Sequence, residues 1–332
     1  MPDGDAQTAL ERQIRSQPEA LHQVLTSAKV MDQIGVAAHG LHRARRIWLV
    51  GTGTSHHAAE LGAAMLQETG RTAHAVSSMH FVDWAPVVDP RDGIIVITHT
   101  AETAYALAAR AVAFNAGMDV TMITRRGSGY PDAIETLDKE TSETYTASYT
   151  TALAAIAMLA QQMGARSFSP DTLTDLPEAV ATAIDGPGTD EVPADARVIV
   201  ITGAGAASVT AREGALKLRE GARVLAEGFD AEYLLHGSAV PLGAGDHLIT
   251  LTPPAADGFV SLLGEAARTE GLTVTDLHEP WPLPLLLTQI PLTARLQMLA
   301  LRLAKERGQN PDVVITGAWQ GEALWTHGKP PG

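Results

Sequence analysis

An internal repeat restricts the fold of this chain more than any other feature of its sequence. The apolar run 46–50 ends in Gly51-Thr52-Gly53, and the apolar run 197–201 ends in a similar glycine turn that begins at Gly203, 152 positions after Gly51. At the same spacing four further residues recur: Gly62, Ala63, Leu66 and Glu68 match Gly214, Ala215, Leu218 and Glu220. Two strand, glycine-loop and helix units at one spacing indicate a duplicated α/β unit.

The repeat continues beyond the first helix of each copy. The run that begins at Asp92 matches the run that begins at Asp246, 154 positions later, and Gly117 and Gly271 keep that spacing. In the first copy, short apolar runs alternate with helical stretches, and these runs cover residues 46–50, 73–76, 93–98 and 120–124. The pattern predicts an α/β fold with a doubly wound parallel sheet in each half, whose ligands bind beyond the carboxyl ends of the strands.

Composition shifts divide the chain into five predicted parts. Residues 1–40 form an N-terminal helical segment, 41–166 a first subdomain and 167–193 a linker that contains Gly186-Pro187-Gly188. A second subdomain follows over 194–307, and a C-terminal tail over 308–332.

Charge and composition exclude several classes of function. The chain has 24 Lys and Arg against 38 Asp and Glu and no basic cluster, so we expect no nucleic-acid partner. It has no cysteine, which excludes disulfides and thiolate chemistry and fits a reducing compartment. No signal-like apolar run and no membrane-length apolar run occurs, so we expect a cytoplasmic protein without a membrane partner.

The first glycine loop has two readings. Gly53, Thr54 and Ser55 leave a strand and enter a helix, where backbone N–H groups and hydroxyls suit an anion; equally, the loop is a tight turn with a serine cap. A dinucleotide site would need a third glycine where His56 stands and an acid after the second strand. We therefore expect no NAD. Separately, we expect no other cofactor and no metal.

The loop at residues 98–103 follows the third apolar run and precedes a predicted helix over 104–115. It presents the hydroxyls of Thr98, Thr100 and Thr103 and the imidazole of His99, a set that suits a phosphate monoester. In the alternative interpretation, Thr100 caps the helix and Glu102 complements the helix dipole, and no ligand is needed. The residues alone favour neither.

Charged side chains on a predicted helix in the second copy are the remaining candidates. Glu213, Lys217 and Glu220 lie on neighbouring turns, which on most helices would be a solvated face with an i,i+4 ion pair. Further on, His236 precedes a glycine, and a lone histidine is more often structural than catalytic.

These motifs together resemble a known family. The segments 52–55, 98–103, 212–220 and 232–237 resemble, in the same order, four motifs of the tandem sugar isomerase (SIS) domains in the isomerase domain of glucosamine-6-phosphate synthase. The resemblance implies two flavodoxin-like subdomains, a phosphate on the loop 98–103, and Glu220 as the base that moves a proton between C1 and C2 of an opened sugar. It also implies that Lys217 and His236 assist, with His236 donated by the other subunit of a homodimer.

The sequence departs from the family in three places. The glutaminase half and its cysteine nucleophile do not occur, so we expect no glutamine-dependent synthesis by this chain. Ala101 replaces a glycine of the phosphate loop, and His99 replaces a glutamine and adds a candidate cation for phosphate. Thr316 stands near the place of a tail lysine that approaches the sugar carbonyl.

Two functions are consistent with this pattern. One is an enzyme that acts on a hexose or aminohexose phosphate, as an isomerase or as a deaminase or deglycase working through an enediol. The other is a regulatory protein that binds a sugar phosphate without catalysis. Glu220, Lys217 and His236 favour the enzyme, whereas Ala101 and Thr316 favour the sensor.

Overall fold

The structure, a computed structural model, describes residues 7–84, 87–254 and 258–328. The first six residues of the predicted N-terminal segment and the last four of the predicted tail lie outside these ranges. The described residues form two compact units, each assembled from segments distant in sequence. Residues 19–140, 147–177 and 315–328 form the first unit, and residues 7–18, 141–146 and 178–314 form the second. The five boundaries from sequence stay predictions, because these units combine segments that those boundaries separate.

The first unit is built around a parallel sheet. Helices α1 (Ala9–Thr26) and α2 (Ala28–Leu41) precede its strands, which are β1 (Ile47–Gly51), β2 (Ala73–Ser77), β3 (Gly93–Ile97), β4 (Asp119–Thr124) and β5 (Ala133–Glu135). All pairs are parallel and the order is β2-β1-β3-β4-β5, the flavodoxin order. The helices that follow are α3 (Thr54–Gln67), α4 (Ser78–Asp83), α5 (Ala104–Asn115), α6 (Ala147–Gln162) and α7 (Pro170–Thr174).

The second unit repeats this plan with one strand fewer. Its strands are β6 (Ile199–Gly203), β7 (Ala226–Asp230), β8 (His247–Thr252) and β9 (Thr273–His278), all parallel in the order β7-β6-β8-β9. The helices are α8 (Leu176–Ile184), α9 (Ala206–Ala222), α10 (Ala231–Tyr233), α11 (Phe259–Thr269) and α12 (Leu285–Glu306), and a π-helical turn spans Leu234–Ser238. A short 3-10 helix (Gly317–Gln320) and α13 (Glu322–Thr326) end the described chain. The expected fold class, two flavodoxin-like doubly wound sheets, is confirmed.

Each sheet is covered on both faces, as strands buried along their whole length require. In the first unit, Trp48 and Val50 of β1 pack with small residues of α5, whereas Leu49 faces α3 and α6. In the second unit, Ile201 packs with α9 and α12, whereas Val200 packs with α11. Successive side chains along a strand therefore pack into two apolar layers, one on each face of the sheet.

The duplication is visible in matched contacts. A Cβ atom on Gly51 or on Gly203 would lie 2.4 or 2.6 Å from the nearest atom of the following helix start, so only glycine fits at either strand end. Asp92 accepts a hydrogen bond from Arg46 Nε at 2.8 Å, and its repeat partner Asp246 accepts one from Arg197. Both units therefore have the same glycine at the strand end and the same Asp–Arg contact.

Two predicted segments differ in detail from the structure. The N-terminal helical stretch is two helices, because Ser27 caps α2 through its side chain, which accepts a hydrogen bond from Val30 N. The segment 167–193, predicted as a linker, contains α7 and α8, and Ser169 caps α7. Its Ser-Pro pair begins a helix rather than a loop, which is the known preference for proline in a first helical turn.

Buried His247 predicts a loss of stability in acid. Its Nδ1 and Nε2 lie 2.7 and 3.0 Å from the hydroxyls of Thr273 and Thr275, and burial lowers the pKa of His247 to about 4. The folded state therefore binds a proton less readily than the unfolded chain, whose histidine pKa is about 6.5, and the contribution of His247 to stability falls as the pH drops from 6.5 towards 4. We expect a loss of about 2–3 kcal/mol between pH 7 and pH 4.5 from this residue.

Urea unfolding of the wild type and of His247→Gln at several pH values measures this loss. The variant is expected to have the shallower pH dependence, and His42→Gln, at an exposed histidine, is the matched control. Equal pH dependence in the wild type and in His247→Gln would show that the prediction is wrong.

Candidate functional site

Two loops of the first unit leave neighbouring strands at the same edge of the sheet. Strands β1 and β3 pair in parallel, so the β1–α3 loop and the β3–α5 loop lie side by side at their carboxyl ends. Gly53, with a φ of 57°, is the residue before α3, and Thr54 and Ser55 are the first two residues of that helix. The structure thus places Gly53, Thr54 and Ser55 at a helix N-terminus, as the sequence predicts.

The β3–α5 loop gathers hydroxyl groups at the start of α5. Thr98 is buried, and its Oγ1 donates to Thr103 Oγ1 at 3.4 Å. Thr103 is the N-cap residue of α5, but its side chain makes no capping hydrogen bond. The hydroxyls of Thr98, Thr100 and Thr103 therefore belong to one loop next to a helix N-terminus whose capping position is open.

The interpretation in which this loop only caps the helix is wrong for Thr100. Thr100 Oγ1 accepts a hydrogen bond from Glu102 N at 3.2 Å, inside the loop, and does not cap α5. The Glu102 carboxylate bonds to Lys139 Nζ at 2.9 Å, so its charge is directed to that lysine.

His99 faces the protein interior, and its role differs from the one expected from the sequence. Its Nε2 accepts a hydrogen bond from Glu140 N at 2.9 Å, so the ring nitrogen is unprotonated there. Burial lowers the pKa of His99, which keeps the imidazole neutral at pH 7. The expectation that His99 supplies a cation for phosphate is therefore wrong, and its side chain instead anchors the loop.

Ala101 adopts a left-handed conformation, with a φ of 57°, at the position where the family motif has glycine. A β-carbon costs about 1–2 kcal/mol in that region. Alanine at this position therefore carries backbone strain that glycine would not carry.

Ala101→Gly is expected to raise the free energy of unfolding. Relief of the left-handed strain exceeds the extra flexibility that glycine gives the unfolded chain, for a net gain of about 1 kcal/mol. The matched control is Ala64→Gly within α3, which should lower the free energy by a similar amount. Denaturant unfolding measures both, and a loss of stability in Ala101→Gly would contradict the assignment of strain.

Three charged side chains on α9 form a buried cluster in the second unit. Lys217 Nζ lies 3.5 Å from Glu213 Oε1 and 2.6 Å from Glu220 Oε2. The Glu213 and Lys217 side chains are 0% exposed, whereas Glu220 is 20% exposed. The interpretation of these charges as a solvated helix face is wrong, because the side chains of Glu213 and Lys217 are fully buried. Glu220 is the member of the cluster that reaches solvent.

The repeat provides an internal comparison for this cluster. The positions of α3 that match Glu213 and Lys217 hold Leu61 and Met65, which are also buried. The same helix of the same fold therefore packs well with apolar residues at both positions. Because burying an ion pair seldom improves stability over apolar packing, a gain in stability does not explain why the second unit has charges at these positions.

His236 lies on the surface of its own unit. It occupies the π-helical turn next to Gly237, whose φ of 105° requires glycine, and its side chain is 74% exposed. Its Nε2 lies 3.9 Å from Glu232 Oε1, and within the described residues the ring contacts neither Glu220 nor Lys217. The structure therefore does not bring His236 to the cluster within the unit that holds both.

Two residues around the β3–α5 loop escaped the sequence analysis. Glu140 accepts hydrogen bonds from Ala147 N and Ser148 N, both at 3.0 Å, and so caps α6 while its own N–H holds His99. Arg125, the first residue after β4, donates to the loop backbone. Arg125 directly follows strand β4, and Glu140 lies in the loop before helix α6. Their positions next to these elements are the sequence signal that could have identified them.

The two residues discussed for the tail lysine lie on the surface or in an ion pair. Thr316 precedes the 3-10 helix and is exposed, and Lys305 bonds to Glu11 at 2.6 Å. In the described part of the chain, no three or more His, Asp or Glu side chains are grouped so that they could hold a metal ion. None of the helices in that part has the length and apolarity needed to cross a membrane.

Comparison with known proteins agrees with the fold and the loops. Residues 40–162 match the SIS domain. This matched region includes the first sheet with its β1–α3 and β3–α5 loops.

Over 91% of its length the chain is 30% identical to the glutamine–fructose-6-phosphate aminotransferase (isomerizing) of Pyrococcus horikoshii, of which it covers 55%. The chain spans about half the length of the curated relatives it matches.

Among solved structures, the chain shares its fold with the tagatose-6-phosphate ketose/aldose isomerase of Escherichia coli. The TM-score is 0.79 and the identity 22%, over 94% of this chain and 98% of that one. It also shares the fold of the C-terminal domain of glucosamine-fructose-6-phosphate aminotransferase from Francisella tularensis, with a TM-score of 0.75 and 18% identity, over 94% and 99% of the two chains.

Proposed function

We propose that this chain is an enzyme that binds a hexose or aminohexose phosphate and moves a proton between two adjacent carbons of the opened sugar. The observation that carries the proposal is the buried Lys217, held between Glu213 and Glu220 where the first unit uses apolar residues. The relatives support it, since they are named as isomerising glutamine–fructose-6-phosphate aminotransferases.

The phosphate is assigned to the loops of the first unit. Gly53, Thr54 and Ser55 offer the start of α3, and Thr98, Thr100 and Thr103 offer hydroxyls and the uncapped start of α5. A phosphate dianion is stabilised by such N–H groups and by the positive ends of helix dipoles. His99 supports this site through the loop backbone and not as a ligand.

Glu220 is assigned as the base. Proton transfer between C1 and C2 needs one group on one face of the enediol, and a carboxylate can accept the proton from one carbon and return it to the other. Lys217 Nζ, 2.6 Å from Glu220 Oε2, fixes the orientation of the Glu220 carboxylate and places a positive charge beside it. Neither residue needs a cofactor for this step.

We further propose a homodimer in which His236 serves the site of the partner subunit. The imidazole is exposed, and it is surrounded in sequence by the exposed apolar side chains of Tyr233, Leu235 and Val240. Such residues are typical of interfaces between subunits. Light scattering that shows a monomer at micromolar concentration would contradict the shared site. The cytoplasmic location expected from the sequence also stays a prediction.

One observation favours a second function, a sugar-phosphate sensor without catalysis. Thr316 stands near the place of the tail lysine of the family that the sequence resembles, and it provides no amine for a sugar carbonyl. Exchange of the C2 proton separates the two functions, because a sensor binds the ligand and leaves that proton in place.

A thermal-shift screen against hexose and aminohexose phosphates tests binding first. A ligand at about 100 times its Kd should stabilise the protein by about 2.7 kcal/mol. Each stabilising sugar phosphate is then incubated with the protein in D₂O, and deuterium at C2 is measured by NMR. No stabilisation by any sugar phosphate would contradict the proposal, and binding without exchange would favour the sensor.

A further inference from the structure

The β3–α5 loop carries two consecutive peptide groups whose carbonyl oxygens are both held by Arg125. The backbone N–H of Arg125 donates to His99 O at 3.1 Å, and its side-chain Nε donates to Thr100 O at 3.3 Å. Thr124 Oγ1 donates to His99 O as well, at 3.2 Å. Both carbonyl groups therefore point towards β4.

The geometry of the peptide bond then directs the two following N–H groups. The described residues contain no cis peptide bond, and in a trans peptide the C=O and N–H groups point in opposite directions. The N–H groups of Thr100 and Ala101 are therefore directed away from β4. Within the described residues neither N–H group has a hydrogen-bond partner.

The opposite side of β3 is the side on which β1 lies. After β1, the chain adds β2 on one side of that strand and then adds β3 on its other side. Doubly wound sheets bind ligands in the crevice beyond the carboxyl ends of the two strands at such a reversal. The two N–H groups thus point towards that crevice, which also holds the start of α3.

Arg125 is itself fixed in this position. Its Nη1 donates to Arg126 O at 3.2 Å and to Gly127 O at 3.4 Å, and the side chain is half-buried. The arginine is therefore held from the β4–β5 connection and acts on the loop from behind, at the carbonyl side of the two peptides.

We propose that Arg125 is a positioning residue that turns the N–H groups of Thr100 and Ala101 towards the phosphoryl oxygens of the substrate. This inference rests on the proposed function, because it assigns a role within the phosphate site. The role of Arg125 can nevertheless fail while the proposed function holds, because the hydroxyls of this loop can bind phosphate without Arg125.

Two substitutions of Arg125 remove the same charge, and together they distinguish positioning of the loop from electrostatic attraction of phosphate by the arginine. In Arg125→Gln, the amide Nε2 takes the place of the arginine Nε and keeps a donor for Thr100 O. In Arg125→Met, the chain length is similar and the donor is lost. Arg126→Met is the control, because Arg126 is exposed and contacts Asp138 and Gln23 instead of the loop.

The measurement is the Kd of inorganic phosphate at pH 8, by calorimetry, for the wild type and the three variants. We expect Arg125→Met to bind at least about tenfold more weakly and Arg125→Gln and Arg126→Met to stay within about threefold of the wild type. Equal weakening in Arg125→Gln and Arg125→Met would overturn the positioning role in favour of charge. Unchanged binding in Arg125→Met would also overturn it.

Amide NMR of the wild type provides a second test that does not depend on a variant that folds. On addition of phosphate, the amide protons of Thr100 and Ala101 should shift downfield, and absence of these shifts while phosphate binds elsewhere would overturn the inference alone. A wild type that binds neither phosphate nor any hexose phosphate would contradict the proposed function together with the inference.

Discussion

Glu220→Gln is expected to reduce turnover of the sugar phosphate about 10²–10⁴-fold, the usual contribution of a positioned general base. Glutamine keeps the shape of the side chain and can still accept a hydrogen bond from Lys217 Nζ, now 2.6 Å from Glu220 Oε2. It cannot accept the carbon-bound proton. Binding of the sugar phosphate should therefore remain close to that of the wild type, because the variant leaves the proposed phosphate-binding residues unchanged.

The repeat supplies the control for this variant. Glu68 occupies the matching position at the end of α3, where it is exposed. Glu68→Gln should leave turnover unchanged. The measurement is the steady-state rate on whichever sugar phosphate the thermal-shift screen identifies, together with deuterium exchange at C2. Near-normal turnover in Glu220→Gln would refute the assignment of the base.

The double variant Glu213→Leu, Lys217→Met is expected to fold and to be inactive. It gives α9 the residues that α3 already uses at the matching positions, Leu61 and Met65. Apolar replacement of a buried ion pair is often neutral or stabilising by about 1–4 kcal/mol. Turnover should fall at least about 10²-fold, because the Glu220 carboxylate loses the ammonium that orients it.

The single variant Lys217→Met distinguishes a chemical role from a structural one. It removes the cation that both Glu213 and Glu220 contact, and breaking a buried pair in this way costs about 3–5 kcal/mol. We expect the double variant to be more stable than this single variant and equally inactive. Denaturant unfolding measures the difference, and a double variant less stable than the single one would mean that the charges are needed for the fold.

The repeat made the fold predictable from sequence. Gly51 and Gly203 mark the two strand ends because no β-carbon fits there, and that steric demand leaves a clear sequence signal. Helix α5 begins and ends where the periodicity predicts. The helices α7 and α8 were missed because proline and glycine near them indicate a loop as readily as a helix start.

The site was predictable in its residue types and not in their surroundings. Glu213 and Lys217 have the i,i+4 spacing of a surface ion pair, and only the tertiary structure shows that both side chains are buried. His99 offers an imidazole in sequence, but its partner is the backbone of Glu140, 41 positions away. Arg125 acts through carbonyl oxygens, and backbone contacts of this kind leave no pairing pattern between side chains.

The hydrogen bonds of Asp312 have a consequence for the biosynthesis of this protein. The Asp312 carboxylate accepts from Ala9 N and Leu10 N, at 2.8 and 2.7 Å, so it caps α1 from a position 303 residues later than Ala9. In the first unit, the backbone at Gly328 fits against the ring of Tyr105, where a β-carbon would lie 2.7 Å from the ring. A ribosome that adds about 5–20 residues per second needs about 15–60 s to extend the chain from the first of these partners to the second. Neither unit can be completed during that interval, so the nascent α1 has only the local cap of Thr8, whose Oγ1 accepts from Glu11 N at 3.1 Å, until Asp312 has been synthesised.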